Sequence, residues 1–178
     1  FFSIFQSGPQ IKKVNLDLHP INIEQLKKIS VTFKPSNLTS FVNNNLKKGK
    51  INSELEIYLS DKNTLDNFII KGSVSNLKSK IINDINLEKT NFDFFADKSD
   101  VLIKNVYGES GPIQLIDGDL KIKLEPEILL ESNFKTNLNY KNNLKKYSNL
   151  LKDIKFINKI TNLEANINNN FNIEFDKT

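Results

Sequence analysis

The chain has no cysteine, no methionine, no tryptophan and no arginine, and a single histidine among its 178 residues. Without cysteine there is no disulfide, no thiolate metal site and no thiol nucleophile, and this lack alone does not separate cytosol from periplasm. A chain without methionine lacks a natural initiator, and the reading that follows is an internal fragment. Every one of the 25 basic residues is lysine. Arginine is the side chain that reads phosphates and bases with a two-pronged fork, so a net charge of +4 and a pI near 9.1 do not by themselves point to nucleic acid. Lysine, asparagine and isoleucine are what AT-rich codons favour, which suggests an AT-rich genome, and the lysines read as solvated polar faces. No run approaches the ~20 apolar residues of a membrane-spanning helix, and "FFSIF" at the start is too short for one and lacks the flanks of a signal peptide. No linker rich in proline, glycine or serine divides the chain.

What is present is alternation. Hydrophobic residues make up 38% of the sequence and charged ones 26%, a globular balance, and period-two patterns recur from end to end. "VNLDLH" places Val14, Leu16 and Leu18 on one side. "INSELEIYLS" does the same with Ile51, Leu55, Ile57 and Leu59, and "FIIKGSVS" with Phe68, Ile70 and Val74, Gly72 marking a bulge or a close approach. "NLEKTNFDFFADKSDVLIKNVYG" reads as a hairpin with Phe92 and Phe94 on one strand, "ADKSD" as its loop, and Val101, Ile103 and Tyr107 on one side of the return strand. Asp117-Gly118 has the composition of a two-residue hairpin turn, and Pro126 separates "DLKIKL" from "ILLESNFKTNLNY". The closing segment, Leu163 to Phe175, alternates for thirteen residues with Asn169 as the one polar break on its apolar side.

Helical patterns are few. Asn22 with Gln25 three residues on forms a capping box ahead of "IEQLKKIS". Leu38, Phe41, Val42 and Leu46 form a stripe in a helix predicted over about 37 to 48 and ending at Gly49. Leu144, Tyr147, Leu151 and Ile154 form a similar stripe over about 142 to 154.

Searching for chemistry yields little. His19 has no second histidine and no nucleophile motif to join. Asp117 and Asp119 lack the ligand spacing of a calcium loop. "GESGP" is no phosphate loop, and Glu125 and Glu127 around Pro126 have no neighbour in sequence that would drive their pKa values apart. No catalytic residue, metal ligand or cofactor is expected. The alternation itself is compatible with two outcomes, apolar sides buried between layers or an open trough, and by itself favours the buried layers.

The stretches "INIEQLKKISVTFKPSNLTSFVNNNLKKGKINSELEIYLS", "FIIKGSVSNLKSKII", "LEKTNFDFFADKSDVLIKNVYGES" and "DGDLKIKLEPEILLESNFKTNLNY" resemble the AsmA-like proteins, nearest the YhdP branch with TamB among its relatives. The matching positions are Pro35, Leu46, Gly49 and Ile51, then Gly72, Val74 and the region of Ile81, then Phe94, Val101, Ile103, Asn105 and Gly108. A tryptophan associated with the helix before Gly49 is absent, with Phe41 in its place. The resemblance implies a repeating β-groove architecture in a non-enzymatic bridge that carries phospholipid through the periplasm toward the outer membrane, anchored in the inner membrane by parts outside this sequence. No nucleic-acid partner is implied. On that basis residues 1–19 end a preceding unit, 20–141 form a β-groove unit, and 142–178 supply a helix and the first strand of the next. The expected fold is mainly β with a few short helices, its long antiparallel meander strands forming a curved, groove-like sheet, with a closed β-sandwich or solenoid module of structural or adhesive role as the alternative. Candidate lining residues of the groove are Leu55, Ile57, Phe94, Ile103, Leu130, Phe134, Ile167, Phe171 and Ile173.

Overall fold

Eight strands form one antiparallel sheet in sequence order, β1(Lys13–Asn22), β2(Leu46–Leu59), β3(Leu65–Ile82), β4(Ile85–Asp97), β5(Asp100–Ser110), β6(Ile113–Lys123), β7(Ile128–Lys141) and β8(Asn162–Phe175). This is a computed structural model, and it describes residues 11–32, 37–62, 64–82, 85–124, 127–141 and 162–175. The predicted helix over 142–154, with Leu144, Tyr147, Leu151 and Ile154, lies outside them, as does the side chain of Leu38. Each strand pairs only with its neighbours in the chain and β1 does not meet β8, so the sheet is open and groove-like. Among the described residues no second sheet faces it, and the closed sandwich is not what forms.

The strands are long because the alternation is long. β3 has 18 residues and β2, β7 and β8 have 14 each; at about 3.3 Å per residue β3 spans roughly 60 Å. The hairpin predicted around "ADKSD" joins β4 to β5, and the "GESGP" segment turns from β5 to β6 at Gly111, whose φ is +60°.

Two helices, α1(Ile23–Ser30) and α2(Asn37–Asn45), lie between β1 and β2. α1 begins where the capping box places it: the Gln25 N–H donates to Asn22 Oδ1 at 2.9 Å and the Asn22 N–H donates to Gln25 Oε1 at 3.0 Å. α2 stops at Asn45, short of Gly49. Leu46 already belongs to β2, where it lies opposite Ser79 of β3, so backbone pairing across the sheet takes over from the helical stripe. Ile23, Val42, Leu46, Val74 and Leu77 form a buried cluster with Leu26, Ile51, Phe92 and Phe94 packed against it, and Phe41 is left exposed. The helices thus cover one end of the sheet's apolar face.

Six strands make one departure from simple alternation. Leu18 and Ile21, Leu46 and Gly49, Val74 and Leu77, Leu87 and Thr90, Ile103 and Val106, and Leu115 and Gly118 each lie three residues apart, yet each pair keeps to the same face across a shift in register or a left-handed residue. Asn76, Lys89 and Asn105 take the positive φ values this requires, +51°, +50° and +55°. These bulges form a band from β1 to β6, and each adds local twist and bend. Two expectations change as a result. Tyr107 falls off the face of Val101 and Ile103 and is 48% exposed, while Val106 takes its place at 8%. Gly118 is no hairpin turn: it sits inside β6 opposite Phe134, whose ring occupies the space where a Cβ would stand.

Candidate functional site

Lateral pairing decides which apolar residues share a surface, because residues directly opposite in a sheet point to the same face. One row runs across all eight strands as Leu16, Leu55, Ile70, Ala96, Val101, Ile122, Leu130 and Ile173. Every position in it is apolar. The next row is Leu18, Ser53, Gly72, Phe94, Ile103, Leu120, Ser132 and Phe171. At about 4.8 Å per strand, these rows extend roughly 35 Å across the sheet.

The predicted lining residues Leu55, Ile57, Phe94, Ile103, Leu130, Phe134, Ile167, Phe171 and Ile173 all fall on this one face, brought there from β2, β4, β5, β7 and β8. Sequence alternation did not reveal Ile70, Ala96, Val101, Ile122 and Leu120 as their partners in rows, since that depends on register.

Cover on the face is uneven. Val74 and Leu77 beneath the helices are 6% and 7% exposed, whereas Phe171 is 52% exposed, and Leu16, Ile167 and Ile173 are exposed too. Asn169 interrupts the apolar surface beside Phe134, and its amide is engaged inside the sheet. Its Nδ2 donates to Thr136 Oγ1 at 3.1 Å and to the Phe134 carbonyl at 3.3 Å.

The opposite face is polar and laced by cross-strand pairs. Lys71 meets Glu54 at 2.8 Å, Lys78 meets Glu88 at 2.6 Å and Lys89 meets Glu109 at 3.0 Å. Glu56 accepts from the Tyr58 hydroxyl at 2.6 Å and from Lys13 at 3.0 Å, and these contacts lower its pKa, the tyrosine contributing most. Hydrogen bonding to Glu56 in turn raises the pKa of Lys13. All of these groups are open to water, so each pair adds little stability.

A shallow depression over β1 to β4 is lined by Asp17, His19, Glu54, Lys71 and Asp93, among others. Asp117 and Asp119 serve the sheet: Lys135 lies 3.5 Å from Asp117, and Asp119 accepts from the Asn105 N–H at 3.3 Å. One contact invisible in the sequence joins Glu127 to Glu174, two carboxyls from the start of β7 and the end of β8. Their hydrogen bond and mutual repulsion raise the pKa of Glu174.

No family model, curated protein or solved structure matches the chain. What the chain presents is this surface. Its chemistry is that of an extended hydrophobic contact area, exposed at both sheet edges and backed by a solvated polar face.

Proposed function

We infer that this chain is a segment of a bridge-like lipid carrier, in which the apolar face shields acyl chains of phospholipid while headgroups stay in water. The observation that carries the reading is the row from Leu16 to Ile173, apolar at all eight positions and exposed at both ends. A monomeric soluble domain rarely exposes so continuous an apolar surface unless something binds there. Each methylene moved from water to such a surface gains about 0.8 kcal/mol, without any directional contact. Chains can therefore slide along the rows, and no catalytic group is required.

The lysines are a weaker basis for a nucleic-acid reading, because Lys13, Lys71, Lys78, Lys89 and Lys135 are each engaged by a carboxylate. By its resemblance to the AsmA-like proteins, the segment belongs on the periplasmic side of an inner-membrane-anchored envelope protein and serves outer-membrane lipid homeostasis.

The test is binding of a fluorescent fatty acid to delipidated protein, together with mass spectrometry of the lipids that co-purify. Phe171→Lys is expected to weaken binding at least several-fold while leaving the circular dichroism unchanged, because Phe171 is half-exposed. Absence of both probe binding and co-purifying lipid in the folded wild-type protein would overturn the reading.

A further inference from the structure

Charge is spread unevenly along the chain. Residues 23–50 carry six lysines and one glutamate, a net +5 in a protein whose total is +4. The fold gathers most of them at one end of the sheet. Asn45 Nδ2 ties the end of α2 to the end of β3 by donating to the Lys80 carbonyl at 2.8 Å, and Asn43 Nδ2 ties α2 to the end of α1 by donating to Ser30 Oγ at 3.3 Å. Lys48 at the start of β2 lies opposite Lys78 near the end of β3. Lys28, Lys47, Lys48, Lys50 and Lys80 are all exposed here, and among the described residues none forms an ion pair; the carboxylate of Glu88 meets Lys78 at 2.6 Å. The opposite ends of the same strands are balanced, with Lys12, Lys62 and Lys98 set among Asp61, Asp66 and Asp97.

The basic end also exposes apolar side chains. Ile29 and Val31 at the end of α1, Phe41 of α2 and Ile81 of β3 stand in water. Phe41 lies one turn before Asn45 and so shares the side of α2 that reaches β3. We propose that this helix-covered end docks on an anionic membrane surface, with the lysines over lipid phosphates and Phe41 and Ile81 entering the headgroup layer. Charge complementarity selects the partner. Lysine is a compact point charge suited to a diffuse anionic plane, whereas protein interfaces favour arginine and tryptophan, and sites that read nucleic acid favour arginine; this chain has neither residue. Phenyl and aliphatic side chains beside lysines are the composition of elements that lie in a bilayer interface. The docking end is separate from the row of Leu16 to Ile173, which lies nearer the opposite strand ends, and it acts whether or not that row carries lipid.

Sedimentation of the 178-residue chain with vesicles tests this. Phosphatidylcholine vesicles containing phosphatidylglycerol are expected to carry the protein down and vesicles of phosphatidylcholine alone are not. Salt at about 1 M, which shortens the screening length to about 3 Å, is expected to release it. Each lysine near such a surface is worth about five-fold in partitioning, so Lys48→Gln with Lys50→Gln is expected to weaken binding roughly 25-fold, whereas Lys12→Gln with Lys62→Gln at the opposite strand ends changes it by less than about two-fold. Phe41→Ser is expected to weaken binding several-fold without altering its salt dependence. All five positions are exposed, so circular dichroism is expected to stay unchanged. Fluorescent fatty-acid binding by the Lys48, Lys50 variant is expected to equal that of the native protein, which keeps failure of the docking apart from failure of the carrier reading. Absence of binding to anionic vesicles at low salt overturns the proposal, and so does equal binding to neutral ones. Equal losses from the two lysine pairs overturn it as well, since they would mark a response to net charge alone, and tighter binding of an oligonucleotide through Lys48 and Lys50 would assign the end to nucleic acid instead.

Discussion

Two glycines are held to different tolerances by what surrounds them. A Cβ at Gly72 would meet the Asn52 carbonyl and the backbone of Ser53, both fixed in the neighbouring strand, whereas a Cβ at Gly118 would meet only side-chain atoms, one edge of the Phe134 ring, which can swing away. Replacing glycine by alanine in a strand otherwise recovers about 0.5–1 kcal/mol of backbone entropy, while overpacking costs about 1–3 kcal/mol. Gly72→Ala is therefore expected to destabilise the protein by about 2 kcal/mol or more, and Gly118→Ala by about 1 kcal/mol or less, as read from urea unfolding midpoints. The sequence offers Gly72 as a bulge or a close approach, and the close approach is what forms. It suggests the wrong role for Gly118, because Asp-Gly has the composition of a turn and only the partner strand reveals that a phenyl ring fills the missing side chain's place.

At the scale of elements, what was legible was what is local. The start of α1 is set by Asn22 and Gln25 within four residues of chain, and both bonds form as the motif requires. Asn22→Ala removes the cap and is expected to cost about 1 kcal/mol, measurable as a lowered unfolding midpoint with the strand signal in circular dichroism preserved. The lining of the candidate site was equally legible, since period-two alternation assigns Leu55, Phe134 or Phe171 to a face from its own strand alone. The bulges were not legible, because their causes lie in neighbouring strands. The Asn76 N–H finds Asn91 Oδ1 at 2.9 Å, and the Asn105 N–H finds Asp119 Oδ1; in each case the donor left over by the bulge is satisfied by a side chain 15 or 14 positions away. Alternation read through such a point swaps inside for outside, and this is how Tyr107 came to be expected where Val106 lies. The end of α2 escapes local reading for a related reason, as Leu46 satisfies a helical stripe and a strand face at once.

For the whole molecule, burial is concentrated under the helices and thins toward both edges. Leu77→Ala in the buried cluster is expected to cost about 2–5 kcal/mol, whereas Phe171→Ala is expected to change stability by about 0.5 kcal/mol or less and to act on ligand binding instead. Parallel urea titrations of the two variants check this, and equal losses would mean that Phe171 is part of a closed core. The strict neighbour-to-neighbour order of the strands has a mechanical side as well. No strand reaches past the next one to brace it, so the stability of the sheet sums step by step along a line, as in a stack of repeats. Such a sheet opens like a zip from its ends, and its slowest amide exchange belongs in β2 and β3, beneath the two helices, with a gradient of protection falling away to either side.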